Sequence, residues 1–454
     1  MKTKSINAKL KLEILKTKLI LFVALCTSIA TFSQKKWTLK QAVDQALAKN
    51  ISIQQNKLSV ELAKKDVEIA KGNFLPNLNG SSSGRFGFGS FIDNISNARI
   101  STDNFNASFD LSSNATLFNG FRNTNTYKQA QLGVESSLLD LKQIENDISL
   151  RVVNTFLNVL FAKENLEVAK VQAEISKKQI DAAKARFDAG VIAKGELLNF
   201  QSTAANDLQN VILQENALDL ALLNLAQLLQ EPVDNFDVAP IEVASPSSEL
   251  LYANSSSVFQ KSLNYMPEIK RAKLAIENAN FNIEITKGAF LPTVTAFAGM
   301  GTGYSHRFNE IFTNDYFFKQ LNDNLGYNVG VSLNIPIFNR FQTKNRLAQS
   351  KINKEISETR LESQKLALKQ TIEQAFLDVK SSLKAFEAAK ISLEAQKEAF
   401  KNAQERYNYG AMTLFDFDLV RTRLVNAEGA MIRSKYDYVF KTKVLQFYSG
   451  ELVF

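Results

Sequence analysis

The 454-residue sequence has one cysteine, one histidine and one tryptophan. A single cysteine excludes a disulfide framework and a thiolate metal site. A single histidine, His306, leaves histidine-dependent catalysis and histidine-ligated metal without a second partner, so neither a metal nor a cofactor is expected. Seven prolines and eighteen glycines are few for this length, and with 45% hydrophobic and 22% charged residues the chain is not disordered. Long hydrophobic runs are missing too. The longest, Leu19 to Ala30, cannot span a bilayer as a helix, so a polytopic helical membrane protein is excluded.

That run instead follows a basic segment carrying Lys2, Lys4, Lys9, Lys11, Lys16 and Lys18, offset by Glu13. The pattern predicts a signal peptide over 1–33, cut before Gln34, with Ala30 as the other small-residue cleavage point. Cys26 follows Leu25, not the small residue that lipidation wants, and reads as part of the apolar run. Cleavage removes six lysines and one glutamate, so the formal charge of +8 falls to +3 and a nucleic-acid partner loses its support.

The remainder is a tandem repeat. Lys71-Gly72-Asn73-Phe74-Leu75-Pro76 returns as Lys287-Gly288-Ala289-Phe290-Leu291-Pro292, an offset of 216. At an offset of 220, Leu117-Phe118-Asn119-Gly120-Phe121 returns as Ile337-Phe338-Asn339-Arg340-Phe341, and Arg186-Phe187-Asp188-Ala189-Gly190 as Arg406-Tyr407-Asn408-Tyr409-Gly410. The domain organisation expected is therefore a first repeat over 34–230, a linker over 231–256 and a second repeat over 257–454. Each repeat reads helix, strand, loop, strand, very long helix, turn, helix.

Prolines are absent between Phe121 and Leu229 and between Asn339 and Phe454. An interior proline costs a helix about 3 kcal/mol, so these windows are free to be continuous helix. Arg122 to Asp188 would make a helix about 100 Å long at 1.5 Å per residue, and Gln342 to Tyr409 repeats it. So long a helix needs neighbours along its whole length. Leu166, Ala169, Ala173, Ile180, Ala183 and Phe187 keep a 3,4 spacing with one polar step at Ser176. Phe386, Ala389, Leu393, Phe400, Ala403 and Tyr407 repeat it, with Gln396 at the polar step, predicting coiled-coil packing. The opening helices are expected to start at Thr38, with Gln41 completing a capping box, and at Ser257, with Gln260 doing the same. They should end at Gly72 and Gly288 in the left-handed conformation.

The strand segments have period two. Phe105, Ala107, Phe109, Leu111, Ala115 and Leu117 alternate with polar residues, as do Tyr327, Val329, Val331, Leu333, Ile335 and Ile337. This suits a membrane β-barrel strand and equally a soluble antiparallel sheet. The lack of any element left over to cover the apolar face favours the membrane. Two strands per repeat make four per chain, and four cannot close a barrel. An open edge in lipid leaves backbone groups unpaired at several kcal/mol each, so the barrel must be shared between copies. Two copies give eight strands, whose side chains about fill the interior; three give twelve and a water-filled lumen.

In this order the repeat, the Phe74-Leu75-Pro76 and Phe290-Leu291-Pro292 helix ends, the Leu117-Phe118-Asn119-Gly120 turn and the two Arg-Phe/Tyr turns resemble the TolC-type outer membrane efflux proteins, over nearly the whole mature chain. The resemblance implies a mostly α chain with transmembrane β-strands. It implies a homotrimer in the outer membrane of a Gram-negative bacterium, whose twelve-stranded barrel continues as a helical tunnel in the periplasm. It implies passive conduction of substrates delivered by an inner-membrane pump and a periplasmic adaptor, in efflux or type I secretion, with no enzymatic activity. Phe105, Phe109, Leu111, Leu117, Val329, Val331, Leu333 and Ile335 would face lipid. The turns carrying Arg186, Phe187, Gly190, Arg406, Tyr407 and Gly410 would form the periplasmic tip where the adaptor docks, Gly190 and Gly410 taking φ > 0. Glu196 and Asp416, with Asp418 beside the latter, would ring the pore constriction. Equally, acids at these positions suit a helix start. Two departures stand out: Leu419 where the family often has an aspartate, and Met412 where it has an arginine.

Other patterns carry less. Gly80-Ser81-Ser82-Ser83-Gly84 matches a hydrolase motif but is expected in a strand, with His306 in a loop. Gly299, Gly301 and Gly303 lack the spacing of a dinucleotide loop. Phe86, Phe88, Phe91 and Tyr304 suit an aromatic girdle or scattered loop aromatics. Two rivals remain. A periplasmic adaptor would show one helical hairpin between β-rich domains, and a secreted enzyme would need a convergent set of titratable side chains.

Overall fold

A computed structural model of the chain describes residues 36–92, 97–101, 103–240, 252–308 and 316–451. The expected signal peptide, Cys26 and Phe454 lie outside them. In chain order the elements are β1 (Lys36–Trp37), α1 (Leu39–Lys49), α2 (Ile51–Gly72), β2 (Asn79–Gly87), β3 (Ser90–Ile92), β4 (Arg99–Ser101), β5 (Asn104–Phe118), α3 (Arg122–Asp188), α4 (Lys194–Leu229), β6 (Asp237–Val238), α5 (Ser255–Ser262), α6 (Pro267–Gly288), β7 (Thr293–Arg307), α7 (Phe317–Asp323), β8 (Gly326–Asn334), α8 (Gln342–Asn408) and α9 (Leu414–Ser449). The two proline-free windows open with helices of 67 residues each, α3 and α8. They divide between two compact units, one of Gln54–Ile144 and Phe259–Thr371, the other of Met1–Ile53, Glu145–Val258 and Ile372–Phe454.

The first of these units holds a four-stranded antiparallel sheet in the order β2-β5-β7-β8. Partners directly opposite share a face, so the register assigns every side chain. Phe105, Phe109 and Leu111 share theirs with Phe86 on β2, and with Met300 and Tyr304 on β7. Tyr327, Val329, Val331 and Leu333 of β8 continue it opposite Met300, Ala298, Ala296 and Val294. The other face carries Ser81, Ser83, Arg85, Asn106, Ser108, Asp110, Asn328, Ser332 and Asn334, with Phe297 packed against Gly330 as its one large apolar residue. The apolar face is open, and Val329 is 83% exposed.

Beyond Gly301, β7 outruns β8, and the α7 segment supplies the missing edge. The Ser305 N–H donates to Gln320 Oε1 (3.0 Å), Gln320 Nε2 donates to the Ser305 carbonyl (3.1 Å), and Asn324 Nδ2 donates to the Gly303 carbonyl (2.7 Å). Side-chain amides here stand in for a strand, because edge N–H and C=O groups need partners.

Below the sheet, β5 bulges between Thr116 and Phe118 and turns into α3. Gly120 (φ +68) and Phe121 (φ +62) are both left-handed, and the repeat does the same with Arg340 (φ +55) and Phe341 (φ +61). Each turn closes with a T-shaped ring pair, Phe118–Phe121 at 5.4 Å and Phe338–Phe341 at 5.5 Å. Asn119 Nδ2 donates to Asn123 Oδ1, and Asn339 Nδ2 likewise donates to Thr343 Oγ1. Gly120 lies against the end of α6: a Cβ on it would overlap the Gly288 carbonyl, and one on Gly288 would overlap the Gly120 carbonyl.

Several expectations need correcting. The helices end at Gly72 and Gly288, yet neither glycine is left-handed. Gly288 is required by the close approach of Gly120, not by its own φ. The first opening helix keeps its Thr38–Gln41 capping box (3.3 and 3.1 Å) but breaks at Asn50, whose side chain accepts from the Ser52 N–H. The second box does not form: Asn254 caps α5 by accepting from the Ser257 N–H (2.9 Å), and the chain restarts at Pro267. Asparagine is a strong cap, and proline suits a first helical position. His306 lies inside β7 opposite Phe105, its ring 6.3 Å from Tyr304 and 4.8 Å from Phe308. Ile335 falls one residue beyond β8, because Pro336 cannot continue a ladder. Leu117 is the bulged residue without a partner on β7.

The second unit is helical. Val152, Val153, Phe156, Val159, Leu225, Leu229, Ile372, Val379 and Leu445 are buried within it. The linker contributes β6, which pairs in parallel with β1, and Lys163 donates to the Val238 carbonyl (3.0 Å). Of the heptad stripe, Leu166, Ala169, Ala183, Phe386, Ala403 and Tyr407 are buried.

Candidate functional site

Helices α3 and α8 end in the same backbone device. The Gly190 N–H donates to the Phe187 carbonyl and the Val191 N–H to the Arg186 carbonyl, both 2.8 Å. In the repeat, Gly410 donates to Tyr407 (3.0 Å) and Ala411 to Arg406 (2.8 Å). This is the Schellman arrangement, which needs a left-handed residue, and Gly190 (φ +72) and Gly410 (φ +71) provide it. The two turns differ at the helices they lead into. Ala193 opens α4 without a side-chain cap, whereas the Thr413 hydroxyl caps α9 by accepting from the Asp416 N–H (3.2 Å).

Between these turns lies a cluster of rings. Tyr407 stacks on Phe417 (5.1 Å) and meets Phe200 edge-on (6.1 Å), while Phe400 tilts against Phe417 (5.5 Å). The Arg186 guanidinium sits 5.6 Å over the Tyr407 ring, and Met412 packs against the same cluster. Phe187 is half-buried, and Arg406 reaches back to the Ala411 carbonyl at 3.4 Å.

The three acids do not share one place. Glu196, half-buried, accepts from the Tyr407 hydroxyl at 2.7 Å and so ties the first repeat's turn to the second's. Burial, then the Glu196 carboxylate, pushes that hydroxyl far above its ordinary pKa, so it remains a donor at any physiological pH. Asp416 is exposed and accepts from the Thr413 hydroxyl (2.7 Å). Asp418 is half-buried on the other side of its helix.

Beside Asp418 lies a group that sequence reading missed. Arg421, 5% exposed, donates to Ser176 Oγ (3.0 Å) and Gln179 Oε1 (3.4 Å), and pairs with Asp207. Ser176 Oγ also donates to Asp207. The network ties α3, α4 and α9 together, and Ser176 is the polar step in the heptad stripe. That step was the one signal in the sequence that something polar must be satisfied there.

The same network explains Asp418. Burial raises its carboxyl above the ordinary carboxylate range; Arg421 opposes that, Asp207 adds to it, and a Thr203 hydrogen bond opposes it. The fold therefore holds this proton more tightly than the unfolded chain does. Ionised Asp418 costs stability above its raised pKa, and the cost vanishes as pH falls below the ordinary range. Asp418→Asn should raise the unfolding temperature at pH 7, with the gain shrinking as pH approaches 4. A gain that is constant across this range would contradict the assignment.

Comparison with known proteins agrees with this architecture. The family model for "Outer membrane efflux protein" matches residues 42–230 and 258–451. The chain is similar to the pyoverdine export outer membrane protein OpmQ of Pseudomonas aeruginosa, 24% identical over 82% of this chain and 77% of that one. It is similar to the outer membrane efflux protein BepC of Brucella suis, 22% identical over 91% of this chain and 86% of that one. Its fold is that of the Campylobacter jejuni CmeC outer membrane channel, with a TM-score of 0.70 at 20% identity, over 91% of this chain and 86% of that one. With residues 42–230 and 258–451 matched by the family model, the chain belongs to the outer membrane efflux protein family and is a channel protein of the outer membrane.

Proposed function

We propose that three copies of this chain close one twelve-stranded barrel, with the long helices continuing the conduit through the periplasm. Through it pass substrates handed over by an inner-membrane pump and a periplasmic adaptor. The observation that carries this reading is the four-stranded sheet, whose apolar face is open and whose outer strands β2 and β8 each pair on one side only. Twelve strands leave a lumen, and closure removes every edge from lipid. Phe105, Phe109, Leu111, Val329, Val331 and Leu333 then face the membrane, with Ser83, Asp110 and Ser332 toward water. The chain's work is conduction, not catalysis; OpmQ and BepC are export and efflux proteins.

The turns bearing Arg186, Phe187, Gly190, Arg406, Tyr407 and Gly410 form the tip that the adaptor grips, one turn from each of the two repeats, 34–230 and 257–454, which follow a signal peptide of 1–33 and are joined by a linker of 231–256. Around a threefold axis the exposed Asp416 and the half-buried Glu196 each supply three carboxylates, a ring that favours cations. The test is single-channel recording of the purified protein in planar bilayers. Asp416→Asn should lower the preference for potassium over chloride; currents identical to the parent would leave Asp416 as no more than the partner of the Thr413 cap.

A further inference from the structure

On the polar face of the sheet, side chains and glycines are paired. A strand side chain ordinarily stands upright from its sheet. Four on this face lie down instead, each toward the glycine directly opposite it. Asn104 faces Gly87, Asp110 faces Gly301, Phe297 faces Gly330 and Asn328 faces Gly299. A Cβ placed on the glycine would lie 2.5 Å from Asn104 Oδ1, 2.7 Å from Asp110 Oδ1, 2.5 Å from Phe297 Cζ and 2.5 Å from Asn328 Oδ1. Directly opposite Cβ positions are about 4.5–5.5 Å apart, so each side chain crosses the gap between strands and ends over its neighbour's backbone.

The apolar face shows nothing this close. Its glycines, Gly80 and Gly84, meet Leu111 and Phe105 no nearer than 3.3 Å. On the polar face, shorter residues also bond along the wall. The Ser305 hydroxyl donates to Asn106 Oδ1 (2.8 Å), and the Ser83 and Ser108 hydroxyls are 2.9 Å apart. Glycine inside a strand weakens it, so four such pairs on one face need a reason other than the strength of the sheet.

We infer that Gly87, Gly299, Gly301 and Gly330 set the bore of the barrel by recessing Asn104, Asn328, Asp110 and Phe297 into its wall. This rests on the three-copy barrel, in which the polar face lines the lumen, and it adds the residues that fix the width. Three of the pairs fill successive rows along β7, at Gly301, Gly299 and Phe297, and three copies repeat each row around the lumen. An alanine at any of the four glycines turns its partner upright, into the path of cargo. The cargo this suits is bulky, and its limit is width. Only side-chain ends are displaced, so the strands keep their pairing, unlike at Gly288, where an added Cβ meets a carbonyl.

A buried thiol reached from outside the cell tests this. In a background carrying Cys26→Ser, Thr295→Cys lies on the polar face one row past Phe297, so a reagent entering from the loop end must pass all four pairs. Whole cells carrying this parent protein are treated with N-ethylmaleimide or with polyethylene-glycol maleimides of increasing length. Gly330→Ala should slow the longest polymer that labels the parent by at least about threefold, with the N-ethylmaleimide rate unchanged. Adding Phe297→Ala should restore the polymer rate, because no ring is left to displace. Gly299→Ala, relieved by Asn328→Ala, is the second pair. Polymer rates equal to the parent's in both alanine variants would overturn the inference. Slowing that the second substitution does not relieve would overturn it too, as would loss of both alanine variants from the outer membrane. A parent protein that assembles but does not react with N-ethylmaleimide would instead overturn the water-filled lumen, and with it the three-copy barrel.

Discussion

Arg421→Ala should lower the stability of the helical unit by about 3 kcal/mol, because it leaves the Asp207 carboxylate buried without its counter-charge. The side chains of Arg421 and Asp207 are 7% and 18% exposed, so water can replace little of what is lost. Ser176, a shared partner of both, keeps only its bonds to Asp207 and to the Gln172 carbonyl. In a unit of this size that loss amounts to a fall of roughly 6–12 °C in unfolding temperature. Replacing both partners is a different experiment. Arg421→Met with Asp207→Leu removes the desolvation cost together with the attraction and should recover most of the loss. Thermal unfolding in detergent, followed by circular dichroism across the single and double variants, decides it. A single variant within about 1 °C of the parent would show that the network is incidental.

The second large effect belongs to the sheet. Gly288→Ala places a methyl group inside the Gly120 carbonyl and the Arg122 side chain, and neither backbone can retreat without moving β5 or α6. Overpacking against backbone costs about 3 kcal/mol. The turn concerned sets the angle at which β5 leaves α3, so the expected outcome is loss of the membrane-assembled form. Gly133→Ala is the matched control. Its added methyl meets nothing within 4 Å, and alanine is the better helix former by about 1 kcal/mol. Outer-membrane yield should fall severely for Gly288→Ala and hold for Gly133→Ala; equal yields would remove the steric argument.

Much of this fold could be read from the chain, for identifiable reasons. Continuous helix over Arg122–Asp188 and Gln342–Asn408 follows from the absence of proline and from there being one glycine, Gly133, in the two spans together. The strands showed themselves by alternation, which register turns directly into two faces. What escaped was whatever depends on contact between distant positions. Gly288 looked like a helix stop, while its true constraint is a carbonyl of Gly120 far earlier in the chain. Asn254 outcompeted Ser257 as a cap, a choice between two good residues that local pattern does not make. His306 reads locally as a loop residue, because nothing nearby in sequence shows that β7 runs on past β8 and is completed by Gln320 and Asn324. At the turns, the glycines and the acids were visible and their partners were not. Glu196 pairs with Tyr407 across the repeat, and the Arg421–Asp207 pair joins residues on separate helices, each an ordinary surface charge when read alone.

The central claim is that this sheet is one third of a barrel. Its most direct test is the mass of the assembly extracted in mild detergent from carbonate-washed outer membranes, measured by native mass spectrometry. Three mature chains in a single species is the result this account predicts. A folded single chain, stable after extraction and released by the carbonate wash, would contradict it.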